Sequence, residues 1–193
     1  FMKNLTLLLL FVVFFLFINA QSLGTLYDTS DGLPSNELSC LEKDVNGNIW
    51  IGTYNNGLVK YDGNTFTNYT TADGLPSDFI KCITSDNSGN IYIGMNQSAA
   101  VFDGVSFTEY SNLNSIEIKS IVKDQQNRIW FSTDDYIYMN NSGSWEHYTT
   151  SDSLIYNNYY YIIEDSSGDI WTTIWGAAGL QKFNGTYWEL YAL

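Results

Sequence analysis

One histidine, two cysteines, two prolines and eight basic residues are all that a chain of 193 positions provides. With His147 as the sole imidazole, a histidine-built zinc centre and a Ser-His-Asp triad both lack their parts. It reads as a strand residue between Glu146 and Tyr148. The eight Lys and Arg face 21 Asp and Glu, a formal net charge of −13. An acidic excess of that size repels phosphate backbones and anionic membranes, which excludes nucleic acid as a partner. Cys40 and Cys82 are too few for a disulfide scaffold or a metal cluster. They read as small buried thiols, Ser120 standing at the third equivalent position. Whether they pair is left open, since a disulfide requires Cα atoms within about 7 Å.

A long apolar run, Leu5 to Ile18, follows Lys3 and precedes Asn19-Ala20-Gln21. A charged start, an apolar stretch short for a membrane span and a small residue at its end form a signal peptide over residues 1–20. Cleavage near Ala20 and export to the periplasm or cell surface are expected.

What the rest of the chain has is repetition. Gly47-Asn48-Ile49-Trp50-Ile51-Gly52-Thr53 recurs at residues 89–95, 127–133 and 168–174. An Asp stands three residues before each copy: Asp44, Asp86, Asp124 and Asp165. Each copy is followed by an aromatic or Met with a small polar turn, as in Tyr61-Asp62-Gly63, and then by aromatic-x-x-Tyr, as in Phe66 to Tyr69. A period near 40 residues holding four short β-rich runs, with no 3.6-residue apolar spacing, indicates propeller blades. The fold class is all-β: a β-propeller of four-stranded antiparallel blades over residues 21–193. Its four units span about 31–72, 73–110, 111–150 and 151–193.

Within the first unit, strand A is placed at Leu38 to Lys43, B at Asn48 to Gly52, C at Leu58 to Tyr61 and D at Thr65 to Tyr69. The A–B and C–D turns then share one face of the disc. The B–C loops and D–A connections share the other, and there the sequence varies. Variable loops on a rigid frame suit recognition, so the candidate ligand-binding residues are Tyr54, Asn55, Asn56, Asn96, Gln97, Asp134, Asp135 and Trp175. Trp175 has no counterpart in the other units and offers a flat face for a sugar ring. By contrast Trp50, Tyr92, Trp130 and Trp171 share one strand-B position and are assigned to packing between blades. The run Tyr156-Asn157-Asn158-Tyr159-Tyr160-Tyr161 leads into strand A of the fourth unit and is expected to alternate, with Tyr160 on the opposite side from Tyr159 and Tyr161.

Leu23 to Tyr27 matches strand D of the unit that follows, so the mature chain is expected to open with an orphan strand D. The fourth unit has a strand D of its own. The expectation is therefore the front portion of a longer propeller.

Asp31-Gly32-Leu33-Pro34-Ser35-Asn36, repeated as Asp73-Gly74-Leu75-Pro76-Ser77-Asp78, together with Gly-x-Ile-Trp-Ile-Gly-Thr, resembles the two-component regulator propeller repeat. The likeness spans residues 23–193 and loosens in the last two units, where Asp152-Ser153-Leu154 stands for Asp-Gly-Leu. It implies an exported sensor, commonly of oligosaccharides, whose propeller has seven blades with this chain as its front part, joined to further blades and to a membrane-linked kinase module. It implies a binding protein with no cofactor and no catalytic residues.

Two chemical alternatives fit poorly. A sialidase-like propeller spaces its turn Asp and Gly two apart and holds a substrate carboxylate with several arginines; here the spacing is three and Arg128 is the one arginine. The Asp-rich turns lack the sixth-position Gly and twelfth-position Glu of a calcium loop, so they read as hairpins rather than metal sites. Other roles weighed are a secreted propeller for protein–protein adhesion and a fragment of a carbohydrate-active enzyme.

Overall fold

The computed structural model describes residues 24–155, 158–174, 176 and 179–191. The expected signal peptide, Trp175 and the first two residues of the Tyr156–Tyr161 run lie outside them. Four antiparallel sheets follow one another, each a meander in sequence order. The first holds β1 (Leu38–Lys43), β2 (Ile49–Thr53), β3 (Leu58–Tyr61) and β4 (Phe66–Tyr69). The second holds β5 (Ile80–Ser85), β6 (Ile91–Met95), β7 (Ala99–Phe102) and β8 (Phe107–Glu109). The third holds β9 (Ile118–Lys123), β10 (Ile129–Thr133), β11 (Ile137–Asn141) and β12 (Ser144–Tyr148). The fourth holds β13 (Tyr159–Glu164), β14 (Ile170–Ile174), β15 (Leu180–Phe183) and β16 (Trp188–Tyr191). These are the blades expected from the sequence, with strand ends moved by at most a residue in the first unit.

The turn between the first two strands of each blade is built around its Asp. Asp44 Oδ1 accepts the amides of Asn46 and Asn48, both at 2.9 Å, and Oδ2 accepts the indole N–H of Trp50 at 2.9 Å. Asp124 repeats this with Gln126, Arg128 and Trp130, and Asp165 with Ser167, Asp169 and Trp171. In the second blade Tyr92 replaces the tryptophan and donates its hydroxyl to Asp86 at 3.1 Å. The carboxylates are thus consumed as turn caps, and the strand-B aromatic is pinned to the turn before it packs outward.

It packs against the next blade. The Trp50 ring meets Phe102 at 5.8 Å, and Trp130 meets Phe183 at 5.6 Å. Nearer the axis, each blade seats the first residue of the next inner strand. A Cβ on Gly52 would come within 2.8 Å of Ile80, and one on Gly94 within 2.6 Å of Ile118. The third blade carries Ser132 at this position and the fourth Thr173, while the facing inner-strand residue changes from Cys40 and Cys82 to Ser120, and in the fourth blade Tyr161 donates its amide to Thr173 Oγ1 at 3.0 Å. Both thiols are free.

Inner strands contact in the order β1, β5, β9, β13, with no comparable contact between β13 and β1 among the described residues. The blades form an open arc. Leu41 is 66% exposed on the first blade, whereas its equivalents Ile83, Ile121 and Ile162 are 7%, 8% and 2% exposed. Tyr161, Ile163 and Leu180 are likewise exposed on the far side of the fourth.

Two expectations need correction. Residues 24–27 form no strand. The first sheet already has its four strands, so no strand C is available to pair with an additional D; Tyr27 instead packs on Tyr61 and Phe66. The tyrosine run does not alternate simply either: Tyr159 is buried while Tyr160 and Tyr161 are both exposed. A register shift between Tyr159 and Ile162 inserts an extra residue and breaks the two-residue period.

Candidate ligand-binding face

Each D–A connection begins with one turn of 3₁₀ helix. At Thr71–Asp73 the Thr70 side chain accepts from Ala72, and the Asp73 carboxylate accepts the Thr70 amide at 2.9 Å, a capping box. Gly74 then adopts φ +93°, and Leu75 plugs the core at 2% exposure. The Asp-Gly-Leu motif is therefore cap, left-handed reversal and apolar plug. In the fourth unit Ser153 takes the left-handed position at φ +72°.

These connections are bonded to the B–C loops beside them. Gly57 donates its amide to the Asp78 carbonyl at 2.9 Å, Tyr54 donates its amide to the Glu37 carbonyl, and Ser115 donates to the Gln97 carbonyl at 2.7 Å. Asp78 also accepts the Thr71 amide at 2.8 Å. The loops are consequently pre-organised, which limits the ordering cost of holding a ligand.

Between them lies a polar hollow of about 380 Å³ lined by Pro76, Ser77, Phe79, Asn96, Gln97, Ser98 and Glu109. That volume falls in the range of small-molecule sites. Phe79 is half-buried, and its ring meets Tyr54 edge to face at 5.6 Å. An apolar wall beside two side-chain amides and a carboxylate can stack one sugar ring and hydrogen-bond its hydroxyls.

Of the residues singled out in the sequence, Asn96 and Gln97 line this hollow and Tyr54 adjoins it through Phe79. Asn55 and Asn56 are exposed on the first B–C loop, where Asn56 donates its amide to Thr53 Oγ1. Asp134 and Asp135 are exposed on the third B–C loop, outside the hollow; together with burial and Tyr136 they push the Tyr138 phenol above its usual range. Trp175 lies outside the described residues. Pro76, Ser77, Phe79, Ser98 and Glu109 were not singled out. Phe79 carried the clearest signal, an aromatic immediately before an inner strand.

A second hollow, about 340 Å³ and apolar, is bounded by Tyr161, Ile163, Trp171 and Leu180. It lies on the uncovered side of the fourth sheet, where the other blades receive a neighbour, and is a packing surface. His147 is exposed on β12 beside Tyr136 and Tyr138. Among the described residues no carboxylate is hydrogen-bonded to it. The groups an acid–base pair would need are not assembled there.

The sequence model of the family described as two component regulator propeller matches residues 32–55, 74–97 and 112–135. No curated protein matches the chain. Among solved structures, the extracellular domain assigned to the hybrid two component system BT3049 of B. thetaiotaomicron is similar at TM-score 0.70 and 19% identity, over 80% of this chain and 23% of that one. Virginiamycin B lyase from Staphylococcus aureus, solved with quinupristin, is similar at TM-score 0.68 and 19% identity, over 83% and 57%. PorZ, a surface component of the type-IX secretion system of Porphyromonas gingivalis, gives 0.59 and 14%, over 80% and 28%. The chain spans about a quarter of the first of these, and the likenesses concern the fold.

Proposed function

We propose that this chain, three of whose four units match the two component regulator propeller, is the ligand-sensing portion of an exported two-component regulator and that it binds oligosaccharides on its loop face. The observation that carries this reading is the hollow walled by Phe79 and supplied with the Asn96 and Gln97 amides, on loops held by backbone hydrogen bonds. Export rests on the sequence of residues 1–20. Coupling to further blades and a membrane-linked kinase module is what the repeat family implies. Binding without catalysis is the reading that the repeat family suggests.

The test is titration of the purified protein with neutral and acidic oligosaccharides by calorimetry, alongside Phe79→Ala and Gln97→Ala. A bound glycan is expected to lose at least tenfold in affinity in each variant, with little change in melting temperature for Gln97→Ala. A glycan that binds both variants like the parent places the site elsewhere; an adhesion role would gain if no glycan binds and a protein partner does.

A further inference from the structure

The same irregularity recurs in the inner strands. Register shifts fall between Leu38 and Cys40, between Ile80 and Cys82, and between Ser132 and Thr133 opposite Lys119. β13 has its own between Tyr159 and Ile162. A bulge re-aims the side chain of its extra residue. The re-aimed residues are Ser39, Lys81 and Lys119, with Tyr160 at the matching place in β13.

On this bulge level the second, third and fourth blades meet. Lys81 and Lys119 both pair with Glu117, the latter at 2.6 Å, and the Lys119 ammonium lies 5.8 Å from the centre of the Tyr160 ring. The lysine side chains keep 24% and 14% of their exposure. Elsewhere among the described residues each ion-paired cation has its own carboxylate: Lys182 with Asp169, Arg128 with Asp124. Here two ammonium groups, with six donors between them, share one. Burial works to raise the Glu117 pKa, but the bonds from Lys119 and Lys81 outweigh it and hold the carboxyl below its usual range. In a chain of net charge −13 this is a local positive excess. It lies outside the hollow's lining but one step along the same chain segments: Phe79 is two residues from Lys81, and Ser115, bonded to Gln97, is two residues from Glu117.

We propose that Lys81 and Lys119 form an anion-binding position, two residues along the inner strand from the Phe79 wall of the loop-face hollow, which takes the carboxylate of a uronic-acid sugar. Glu117 holds the two ammonium groups in place when no ligand is bound and competes with the ligand's carboxylate. The aromatic face of Tyr160 backs Lys119 from the fourth blade. This assignment rests on the reading of the loop face as a sugar site and narrows its ligand class.

Calorimetric titration with tri-galacturonate, its methyl ester, a neutral xylan oligomer and citrate tests it, in the parent and in Lys81→Gln, Lys119→Gln and Glu117→Gln. Tri-galacturonate is expected to bind at least tenfold tighter than its uncharged ester. Each lysine variant should remove that preference and leave binding of the ester unchanged, whereas Glu117→Gln should strengthen tri-galacturonate binding about threefold or more. Equal affinity for acid and ester, with silent lysine variants, overturns the anion position and leaves the sugar reading intact. Xylan binding without galacturonate binding does the same. Citrate binding as tightly as tri-galacturonate overturns the sugar part alone, and no binding by any of the four overturns both. If one lysine variant fails to fold, the other and Glu117→Gln still decide the matter, because a merely structural triad predicts a lower melting temperature and no gain for Glu117→Gln.

Discussion

The indole of Trp130 donates to the carboxylate of Asp124 at 2.8 Å, and both side chains are fully buried. Asp124 also accepts two backbone amides and the Arg128 guanidinium, so one side chain satisfies the turn and anchors the aromatic that packs the third blade on the fourth. Trp130→Phe keeps an aromatic face but loses part of the ring volume and a hydrogen bond to a charged group, the latter at a cost of about 1.5–3 kcal/mol. Asp124→Ala strands Arg128, the indole and two amides, and is expected to cost about 3–5 kcal/mol. Urea midpoints would rank them in that order; an Asp124→Ala protein as stable as the parent contradicts the role.

Acid should destabilise the fold from a definite point. The Asp165 carboxyl is held below its usual range first by the Trp171 indole, and Asp62 by the amides of Thr65 and Asn64. At Asp44 burial pulls the other way, but Asn48, Trp50 and backbone donors outweigh it. A folded-state pKa that is depressed gives stability that is full above the unfolded value of about 3.9 and is lost as pH falls through the folded value. Melting temperature is expected to be nearly flat between pH 7 and pH 5 and to fall steadily below about pH 4. A flat profile from pH 5 to pH 3 would contradict this.

Gly94→Ala tests the seat between the second and third blades. The added Cβ would lie 2.4 Å from Cys82 Sγ and 2.6 Å from Ile118 Cγ2, so strand β9 must move. Overpacking of this kind costs about 1–3 kcal/mol. The readout is thermal unfolding, with Gly47→Ala, which meets nothing within 4 Å but has φ +87°, separating strain from crowding.

Neither thiol should react in the native state. Burial is the main cause that pushes Cys40 up to about 11, and it raises Cys82 further. At pH 8 a disulfide reagent is expected to titrate none of the two cysteines within minutes and both after unfolding in urea, because the thiolate is the nucleophile. Rapid native labelling of Cys40 would show that the inner strands open.

The uncovered sides of the first and fourth sheets carry opposite halves of the interface that joins each blade to the next. Leu41 belongs to the presenting half, and Tyr161, Ile163 and Leu180 to the receiving half. Exposed apolar sheet faces of this type promote association. Sedimentation velocity of this chain is expected to show self-association that Ile163→Lys or Leu180→Lys weakens at least tenfold. A monomer at high concentration would set the idea aside.

The blades were legible because period, turn Asp and strand-B aromatic repeat together, and a side chain needed in every unit writes itself four times. The loop-face hollow was half legible. Asn96 and Gln97 stood out as loop variation, but Phe79 reaches the hollow from the end of an inner strand, where sequence gives no hint of direction. The tyrosine run misled because a bulge cancels alternation and leaves no compositional mark. The orphan strand failed for a different reason: likeness to strand D cannot supply the hydrogen-bonding partner that a strand needs.

The seats between blades also carry an order. From Cys40 and Gly52, through Cys82 and Gly94 and then Ser120 and Ser132, to Tyr161 and Thr173, each pair is at least as bulky as the one before it. A duplicated copy of the second unit placed after the fourth would set Ile80 against Tyr161 and Thr173, not against the Cys and Gly pair that an inner-strand isoleucine meets elsewhere in this chain. The units are therefore not interchangeable modules. Recombination among them would be filtered by shape at this one level, since an isoleucine opens the inner strand after each Cys and Gly pair and Tyr159 opens the one after the pair of serines.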